Sequence, residues 1–293
     1  MAAEIECVVE IRSALGEGPV WSAAEQALYW IDCLKPAAYR YDPATGENRA
    51  LTLPLDSALG ALAFRRGGGY LLALESGLKT VDASGMSVQL LCHPEKGRDQ
   101  NRYNDGKPDR AGRFFLGSLN KADRDPTGAL YRIDADGACT EIDSGFVCAN
   151  GMDWSPDDRI FYFVDSGSRN IFAYDYDGTT GEIENRRVLA TVAAEEGSPD
   201  GLCVDRDGFV WVAHWDGWCI SRFDPAGRRE RKLRVPVPRP TSLCFGGRNL
   251  DRLYITSAAM DLDTPALSAA PLSGSLFALE PGVRGLPFSA FAR

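Results

Sequence analysis

The stretch Phe161-Tyr162-Phe163-Val164-Asp165 is a short apolar run rich in aromatic side chains, and related runs recur along the chain. The six runs are 42, 44, 47, 49 and 43 residues apart, and they begin at Leu28, Tyr70, Phe114, Phe161, Val210 and Leu253. Repeats of this length, built from short strands, are typical of β-propellers, in which each repeat forms one four-stranded blade. We therefore expect an all-β protein, a six-bladed β-propeller formed by a single domain over residues 1–293.

The composition is that of an ordinary globular protein and argues against several classes of function. With 44% hydrophobic residues, 25% charged residues and no long apolar run, the chain is not expected to enter a membrane. Its net charge of -9 argues against nucleic acid as a partner, because binding to phosphates requires a basic face. The first ten residues lack the features of a secretory signal and alternate like a strand. They predict a cytoplasmic protein whose first strand completes the last blade and closes the ring.

The eight cysteines show no C-x-x-C spacing of the kind that zinc and redox sites use. Several lie inside apolar runs that resemble strands, as in Gly201-Leu202-Cys203-Val204. We expect free thiols rather than disulfides, because a reducing cytoplasm keeps such residues reduced. We do not expect a cysteine nucleophile.

The repeat also predicts which side chains meet on the propeller axis. If the first strand of each blade is innermost, positions about ten residues before each aromatic run converge on the central channel. In chain order these positions hold Glu17, Leu59 or Gly60, Asn104, Asn150, Asp200 and Ser242. Four of them offer a carboxylate or amide oxygen. The second repeat brings no polar ligand, and that gap is a candidate resting place for a substrate.

Two carboxylates at the mouth of a narrow channel repel each other and lose hydration, and a bound cation resolves both problems. Glu17, Asn150 and Asp200 supply only oxygen ligands, which suit calcium, magnesium or manganese, although zinc also accepts carboxylates. His93 and His214 are the only histidines, so a site with several histidine ligands is excluded. A polar channel filled with water is the alternative, and the offset that these residues share favours the metal site.

Five short motifs then resemble one family, that of senescence marker protein (regucalcin), gluconolactonase and related sugar lactonases. The motifs are Leu15-Gly16-Glu17-Gly18-Pro19-Val20-Trp21, Asn101-Arg102-Tyr103-Asn104-Asp105-Gly106-Lys107, Asn150-Gly151-Met152, Ser198-Pro199-Asp200-Gly201 and Cys244-Phe245-Gly246-Gly247. The resemblance covers essentially the whole chain. It implies a six-bladed propeller with one divalent metal at the channel mouth, held by Glu17, Asn150 and Asp200. It also places the family's substrate contacts at Arg102 and Asn104, and Asp105 lies in the same matching stretch.

The activity that the resemblance implies is the opening of an aldonolactone by water. The metal would act as a Lewis acid on the carbonyl, and Asp200 is the candidate general base. Arg102 and Asn104 would orient the sugar. The alternatives are a calcium-binding regulatory protein, a broader metal-dependent esterase and a platform for protein interactions, and the polar residues on the axis disfavour the last.

Two further groups of residues bear on the substrate. The loop after the third aromatic run is cationic at Lys121 and Arg124, which would favour an anionic sugar if the loop overhangs the channel mouth. The alternative is a solvated loop balanced by Asp123 and Asp125. Three tryptophans surround His214 and serve either core packing or a pocket rim that stacks on a sugar ring, namely Trp211, Trp215 and Trp218.

Overall fold

The computed structural model describes residues 4–293, and nearly all of its regular structure is antiparallel β-sheet. There are six four-stranded sheets, and the innermost strand of each contacts that of the next until the sixth meets the first. This arrangement confirms the predicted six-bladed β-propeller.

The strands follow one another in a regular order. The chain begins with β1 (Glu6–Val9), and blade one contains β2 (Gly16–Ser22), β3 (Ala27–Asp32), β4 (Ala37–Asp42) and β5 (Glu47–Ala50). Blade two contains β6 (Leu59–Phe64), β7 (Tyr70–Leu74), β8 (Gly77–Val81) and β9 (Val88–Cys92). Blade three contains β10 (Asn101–Pro108), β11 (Phe114–Asn120), β12 (Gly128–Ile133) and β13 (Cys139–Phe146).

The second half of the ring repeats this order. Blade four contains β14 (Ala149–Trp154), β15 (Ile160–Asp165), β16 (Asn170–Tyr176) and β17 (Ile183–Thr191). Blade five contains β18 (Ser198–Val204), β19 (Val210–Trp215), β20 (Cys219–Phe223) and β21 (Arg229–Arg234). Blade six contains β22 (Pro240–Gly246), β23 (Arg252–Ser257), β24 (Leu276–Leu279) and, on its outer edge, β1. A short helix, α1 (Thr264–Ala269), lies between β23 and β24.

The aromatic runs form the second strand of every blade, where neighbouring blades cover both faces of the sheet. Strand β3 is buried at all six positions for this reason, whereas the outer strand β21 is largely exposed. Aromatic rings fill the spaces between blades, as Phe115 of blade three does against Trp154 and Phe161 of blade four. This packing holds neighbouring blades against each other.

The ring is closed by the two ends of the fold. Strand β1 pairs with β24, with Glu6 opposite Ala278 and Cys7 opposite Phe277. The prediction that the first strand completes the last blade is therefore confirmed, and residues 1–3 of that predicted strand lie outside the described part of the chain. Closure removes a pair of exposed strand edges that would otherwise be open to pairing with other chains.

The cysteines are free, as the sequence predicts. Four of them are buried and four are partly buried: Cys33, Cys203, Cys219 and Cys244 in the first group, and Cys7, Cys92, Cys139 and Cys148 in the second. Across residues 4–293 there is also no helix with the length and apolar character needed to span a bilayer.

The segment 281–293 crosses the face of the propeller that carries the turns between the first and second strands of the blades. It hydrogen bonds to blade six through Gly285 N and Leu250 O (2.7 Å) and to blade two through Phe291 N and Phe64 O (2.8 Å). Within this segment the centre of the Phe288 ring lies 4.8 Å from Lys107 Nζ, at the end of the central channel on this face. The segment thus covers that end of the channel, and the opposite mouth is the accessible one.

Candidate functional site

A cavity of about 650 Å³ lies at the open mouth of the channel. Five of the residues singled out from the sequence line it, namely Glu17, Arg102, Asn104, Asn150 and Asp200. They come from β2, β10, β14 and β18, which are first strands of four different blades. The rotational register of the repeats therefore brings the side chains of Glu17, Asn104, Asn150 and Asp200 to one cavity.

Every first strand carries a β-bulge near its start. In blade four the pairing shifts by one residue between Ala149 and Met152, and in blade five it shifts between Pro199 and Leu202. Asn150 and Asp200 lie inside these irregular segments, where a bulge turns a side chain away from the regular alternation of a strand. The bulges thus direct a polar side chain from an otherwise apolar strand into the channel.

Glycines allow the inner strands of blades four and five to approach closely beside the site. A Cβ atom on Gly151 would lie 2.2 Å from Leu202 N and 2.8 Å from Asp200 O. A Cβ on Gly201 would lie 2.2 Å from the Ser242 hydroxyl oxygen. The absence of a side chain at Gly151 therefore permits the short separation between the strands that carry Asn150 and Asp200, and its absence at Gly201 permits the close approach of blades five and six.

The amide of Asn150 is held in one orientation by blade five. Asn150 Nδ2 donates to Ser166 Oγ (3.1 Å), and Ser166 Oγ donates to Pro199 O (2.6 Å). The other end of the same amide, Asn150 Oδ1, is buried with no hydrogen-bond partner. Sequence reasoning missed Ser166, and the available signal was its place directly after the fourth aromatic run.

Asp200 is 4% exposed, and its Oδ1 is also buried with no partner. Burial and, after it, the charge of Asp105 raise the pKa of Asp200 well above its usual value, against the opposing effects of Asn150 and Arg102. Burial and the charges of Asp200 and Asp105 likewise raise the pKa of Glu17. Glu17 Oε2 accepts a hydrogen bond from Gly18 N (3.1 Å). Without a counter-charge, the site therefore disfavours two ionised carboxylates.

These residues fit a hard divalent cation. Two buried oxygens without partners, Asn150 Oδ1 and Asp200 Oδ1, lie beside the carboxylate of Glu17 in one cavity. Calcium, magnesium and manganese prefer such oxygen ligands. Over residues 4–293, no three His, Cys, Asp or Glu side chains form a cluster suited to a metal, and the set described here reaches three only through its amide.

The side chains of Arg102 and Asn104, which also line the cavity, hydrogen bond to each other. Arg102 Nη1 donates to Asn104 Oδ1 (3.0 Å) and to Tyr103 O (2.9 Å). Asn104 Nδ2 donates to Ala149 O (3.0 Å), which ties it to blade four. Arg102 lines the cavity, where its guanidinium supplies a positive group.

Asp105 and Ser242 do not line this cavity, although they lie near the same repeat position. Both line a smaller space deeper in the channel. Burial raises the pKa of Asp105 to about 6, and Lys107 acts in the opposite direction. Lys107 Nζ in turn pairs with Asp153 Oδ2 at 2.7 Å. This buried charge pair lies between Asp105 and the covered end of the channel.

The cationic loop is balanced by acidic partners. Lys121 and Arg124 both line the cavity, so the loop does reach the mouth. Lys121 Nζ pairs with Glu75 Oε1 at 2.8 Å, whereas Arg124 is 3.6 Å from Asp125 and highly exposed. The geometry therefore gives no unopposed cationic patch at Lys121.

The tryptophans around His214 separate into different environments. Trp211 is fully buried, and Trp215 lines the cavity under the guanidinium of Arg239 (4.7 Å). His214 is buried, and its Nδ1 contacts Glu196 O (3.0 Å). Trp215 is therefore the member of this group that lines the cavity, and the partly exposed Trp218 does not line it.

Comparison with known proteins places the chain in a family. A model described as SMP-30/Gluconolactonase/LRE-like region matches residues 15–259. Regucalcin from Gallus gallus is 36% identical over 296 residues, covering 99% of this chain and 98% of the relative. The solved luciferin-regenerating enzyme superposes with a TM-score of 0.92 at 29% identity, with 100% of both chains covered. The structure of a calcium-binding protein, regucalcin, from Agrobacterium tumefaciens gives a TM-score of 0.93 at 27% identity, covering 98% of this chain and 97% of that one. From the first strand to the last blade, then, this chain belongs to the SMP-30/gluconolactonase/LRE-like family.

Proposed function

We propose that the protein is a metal-dependent hydrolase that opens sugar lactones, such as aldonolactones, to the corresponding acids. The observation that carries the proposal is the pair of buried oxygens without partners, Asn150 Oδ1 and Asp200 Oδ1, beside Glu17 on the floor of an open cavity. Such a site is costly to build unless a cation completes it. The family assignment, whose name includes gluconolactonase, supports the same reaction.

In this proposal Glu17, Asn150 and Asp200 hold one divalent cation, which is calcium, zinc, manganese or magnesium. A cation held there supplies Lewis-acid polarisation of the lactone carbonyl and stabilises the developing oxyanion. Arg102 and Asn104 bind the substrate's oxygens and orient its ring. Asp105, which lies deeper in the channel, is the weakest member of the proposed substrate-binding set.

Asp200 moves the proton in the proposed reaction. Its carboxylate removes a proton from the attacking water, and the water oxygen bonds to the carbonyl carbon. The bond from that carbon to the ring oxygen then breaks, and the ring oxygen leaves as a hydroxyl after receiving the proton. The product is the open hydroxy acid, and no oxidant or reductant is consumed.

A panel of substrates and metals tests the proposal. The protein is treated with a chelator and then supplied singly with calcium, zinc, manganese or magnesium, and turnover of sugar lactones is compared with turnover of aryl esters. We expect lactone hydrolysis that stops with chelator and returns with metal. Metal affinity without any turnover would instead indicate a calcium-binding regulatory protein, and faster turnover of aryl esters would indicate a broader esterase. The cytoplasmic location stays a prediction, which fractionation of cells would test.

The raised pKa values of the two carboxylates predict an effect of pH on the metal-free protein. At a pH below the pKa that a carboxylate has in the unfolded chain, the folded and unfolded states are both protonated, and the raised pKa does not affect stability. As pH rises toward the higher folded pKa, the unfolded state loses protons first, so stability falls. Glu17→Gln removes one such group, and we expect its Tm relative to the wild type to rise as the pH increases above the ordinary pKa of a glutamate, about 4.3.

The comparison with Glu17→Gln is needed because the histidines act in the opposite direction. Burial lowers the pKa values of His93 and His214, so their contribution to stability rises with pH. Both proteins share the histidines, and the difference in Tm isolates the carboxylate. Added metal should stabilise the wild type most at high pH, and a pH-independent difference between the two metal-free proteins would contradict the prediction.

A further inference from the structure

One side of the cavity is apolar, which the proposed chemistry on hydroxylated sugars does not use. We call this side the apolar wall, and it consists of Leu15, Leu34, Ala58, Trp215 and Met260. The rest of the lining is mixed, with the polar and charged residues Arg102, Asn120, Lys121, Asp123 and Arg124 and the apolar residues Leu119, Val147 and Cys148. The apolar wall and the floor with Glu17, Asn150 and Asp200 thus belong to one cavity.

The apolar wall is continuous although its residues come from four blades. Ala58, Trp215 and Met260 pack against the same buried cluster, which contains Leu15. Met260 N donates to Ala14 O (2.9 Å), which fixes blade six beside Leu15. Leu59 N donates to Cys33 O (3.1 Å), which places the neighbouring residues Ala58 and Leu34 side by side. These bonds join the separate loops into one surface.

The apolar wall stands directly beside the proposed metal ligands. Leu15 precedes Glu17 by two residues on the same chain segment, and Trp215 pairs across the sheet with Ser198, two residues before Asp200. Leu15, Trp215 and both carboxylates line the same cavity. A substrate whose carbonyl reaches the floor therefore presents one of its sides to the apolar wall.

Leu34 is the unusual member of the apolar wall because it is 41% exposed. The other large apolar side chains exposed in residues 4–293 are Met86, Val88, Leu90 and Val188, and none of these lines the cavity. A leucine exposed inside a concave site gains by contact with an apolar ligand, since burial of apolar surface is favourable. The cavity volume of about 650 Å³ is in the range of pockets that enclose drug-sized ligands. It leaves room beyond a bare monosaccharide ring.

We propose that the site also hydrolyses lactones that carry an alkyl or aryl substituent, with the substituent lying against the apolar wall. The inference rests on the proposed function, because it uses the same floor and the same addition of water to the carbonyl. The ring carbon–oxygen bond breaks as before, and the product is a hydroxy acid that retains its substituent. Leu34, Trp215 and Met260 are then specificity residues and take no part in proton transfer.

Three substrates separate this inference from the proposed function. They are glucono-δ-lactone, the unsubstituted δ-valerolactone, and a δ-lactone with a five-carbon alkyl chain beside the ring oxygen. Each methylene buried against the apolar wall contributes about a four-fold gain in kcat/KM. We expect the alkyl lactone to exceed δ-valerolactone by at least about ten-fold, since an open wall buries only part of the chain.

The variant Leu34→Ser tests the apolar wall, and Leu90→Ser is its control, because Leu90 is an exposed leucine on β9 outside the cavity. Leu34→Ser is expected to lower kcat/KM for the alkyl lactone about five-fold and to leave that for glucono-δ-lactone within about two-fold. Met260→Ser should act in the same direction, and Leu90→Ser should change neither value. Unchanged Tm values confirm that all three variants are folded.

The outcomes are distinct. If the wild type hydrolyses glucono-δ-lactone and the alkyl lactone shows no advantage over δ-valerolactone, the inference is wrong and the proposed function stands. Equal loss on all three lactones in Leu34→Ser also overturns the inference. If no lactone is hydrolysed with any metal, the proposed function itself fails, and the inference fails with it.

Discussion

Asp200→Ala is expected to abolish lactone hydrolysis, with kcat reduced by at least about a thousand-fold. The variant loses the candidate general base and one of three proposed metal ligands in a single step. It should still fold, because the Asp200 side chain is buried without a hydrogen bond to its Oδ1 and with a raised pKa. Steady-state kinetics with glucono-δ-lactone at saturating metal measures the effect.

A second substitution separates the two roles of Asp200. Asp200→Asn keeps an oxygen that can bind a cation and loses the group that accepts a proton. We expect it to retain measurable metal binding by calorimetry and to remain inactive. Asp175→Asn is the control, because Asp175 lies on β16 and pairs with Arg187 at the surface (2.8 Å). Near-normal turnover in a folded Asp200→Ala protein would disprove the assignment.

Among the substitutions proposed here, Asp205→Ala is expected to lower stability the most, by about 3–5 kcal/mol in the free energy of unfolding. Asp205 is fully buried at the end of β18, the strand that carries Asp200. Its Oδ1 accepts from Phe209 N (3.0 Å), and its Oδ2 accepts from Trp211 Nε1 (2.9 Å) and Arg222 Nε (2.8 Å). Its removal leaves a buried guanidinium and a buried indole N–H without this acceptor.

Denaturation by urea, followed by fluorescence and circular dichroism, measures this change in stability. Asp207→Ala is the matched control, because Asp207 is an exposed residue of the same blade that lies 3.5 Å from the same guanidinium, that of Arg222. We expect a much smaller change there, since exposed ion pairs contribute little. An Asp205→Ala protein as stable as the wild type would show that Glu230, which is 3.3 Å from Arg222, is a sufficient partner for that charge.

The strands and cavity residues that follow the six-fold repeat could be predicted from the sequence. The aromatic runs marked the second strand of each blade, and rotation then placed Glu17, Asn150 and Asp200 around one cavity. The same offset also selected Ser242, which lies deeper in the channel, because position in a repeat does not specify depth along the axis. That residues 1–293 form a single domain stays a prediction.

Features built by loops could not be predicted, because loops do not follow the repeat. The pairing of Lys121 with Glu75 joins residues of different blades, and nothing in their sequence neighbourhood indicates it. The orientation of Asn150 depends on Ser166, whose own partner is in blade five. The apolar wall likewise appears only when turns from four blades meet.

The pairing of β1 with β24 has a consequence for how the protein is made. The ribosome synthesises β1 before the other described strands and β24 after all of them, so the two partners are separated by the rest of the propeller while the blades emerge. Contacts between such distant segments form slowly, because closing a long loop costs chain entropy. Until that last strand arrives, the nascent propeller exposes the unpaired edges of an open ring. Protection of these edges by chaperones is then most needed late in translation.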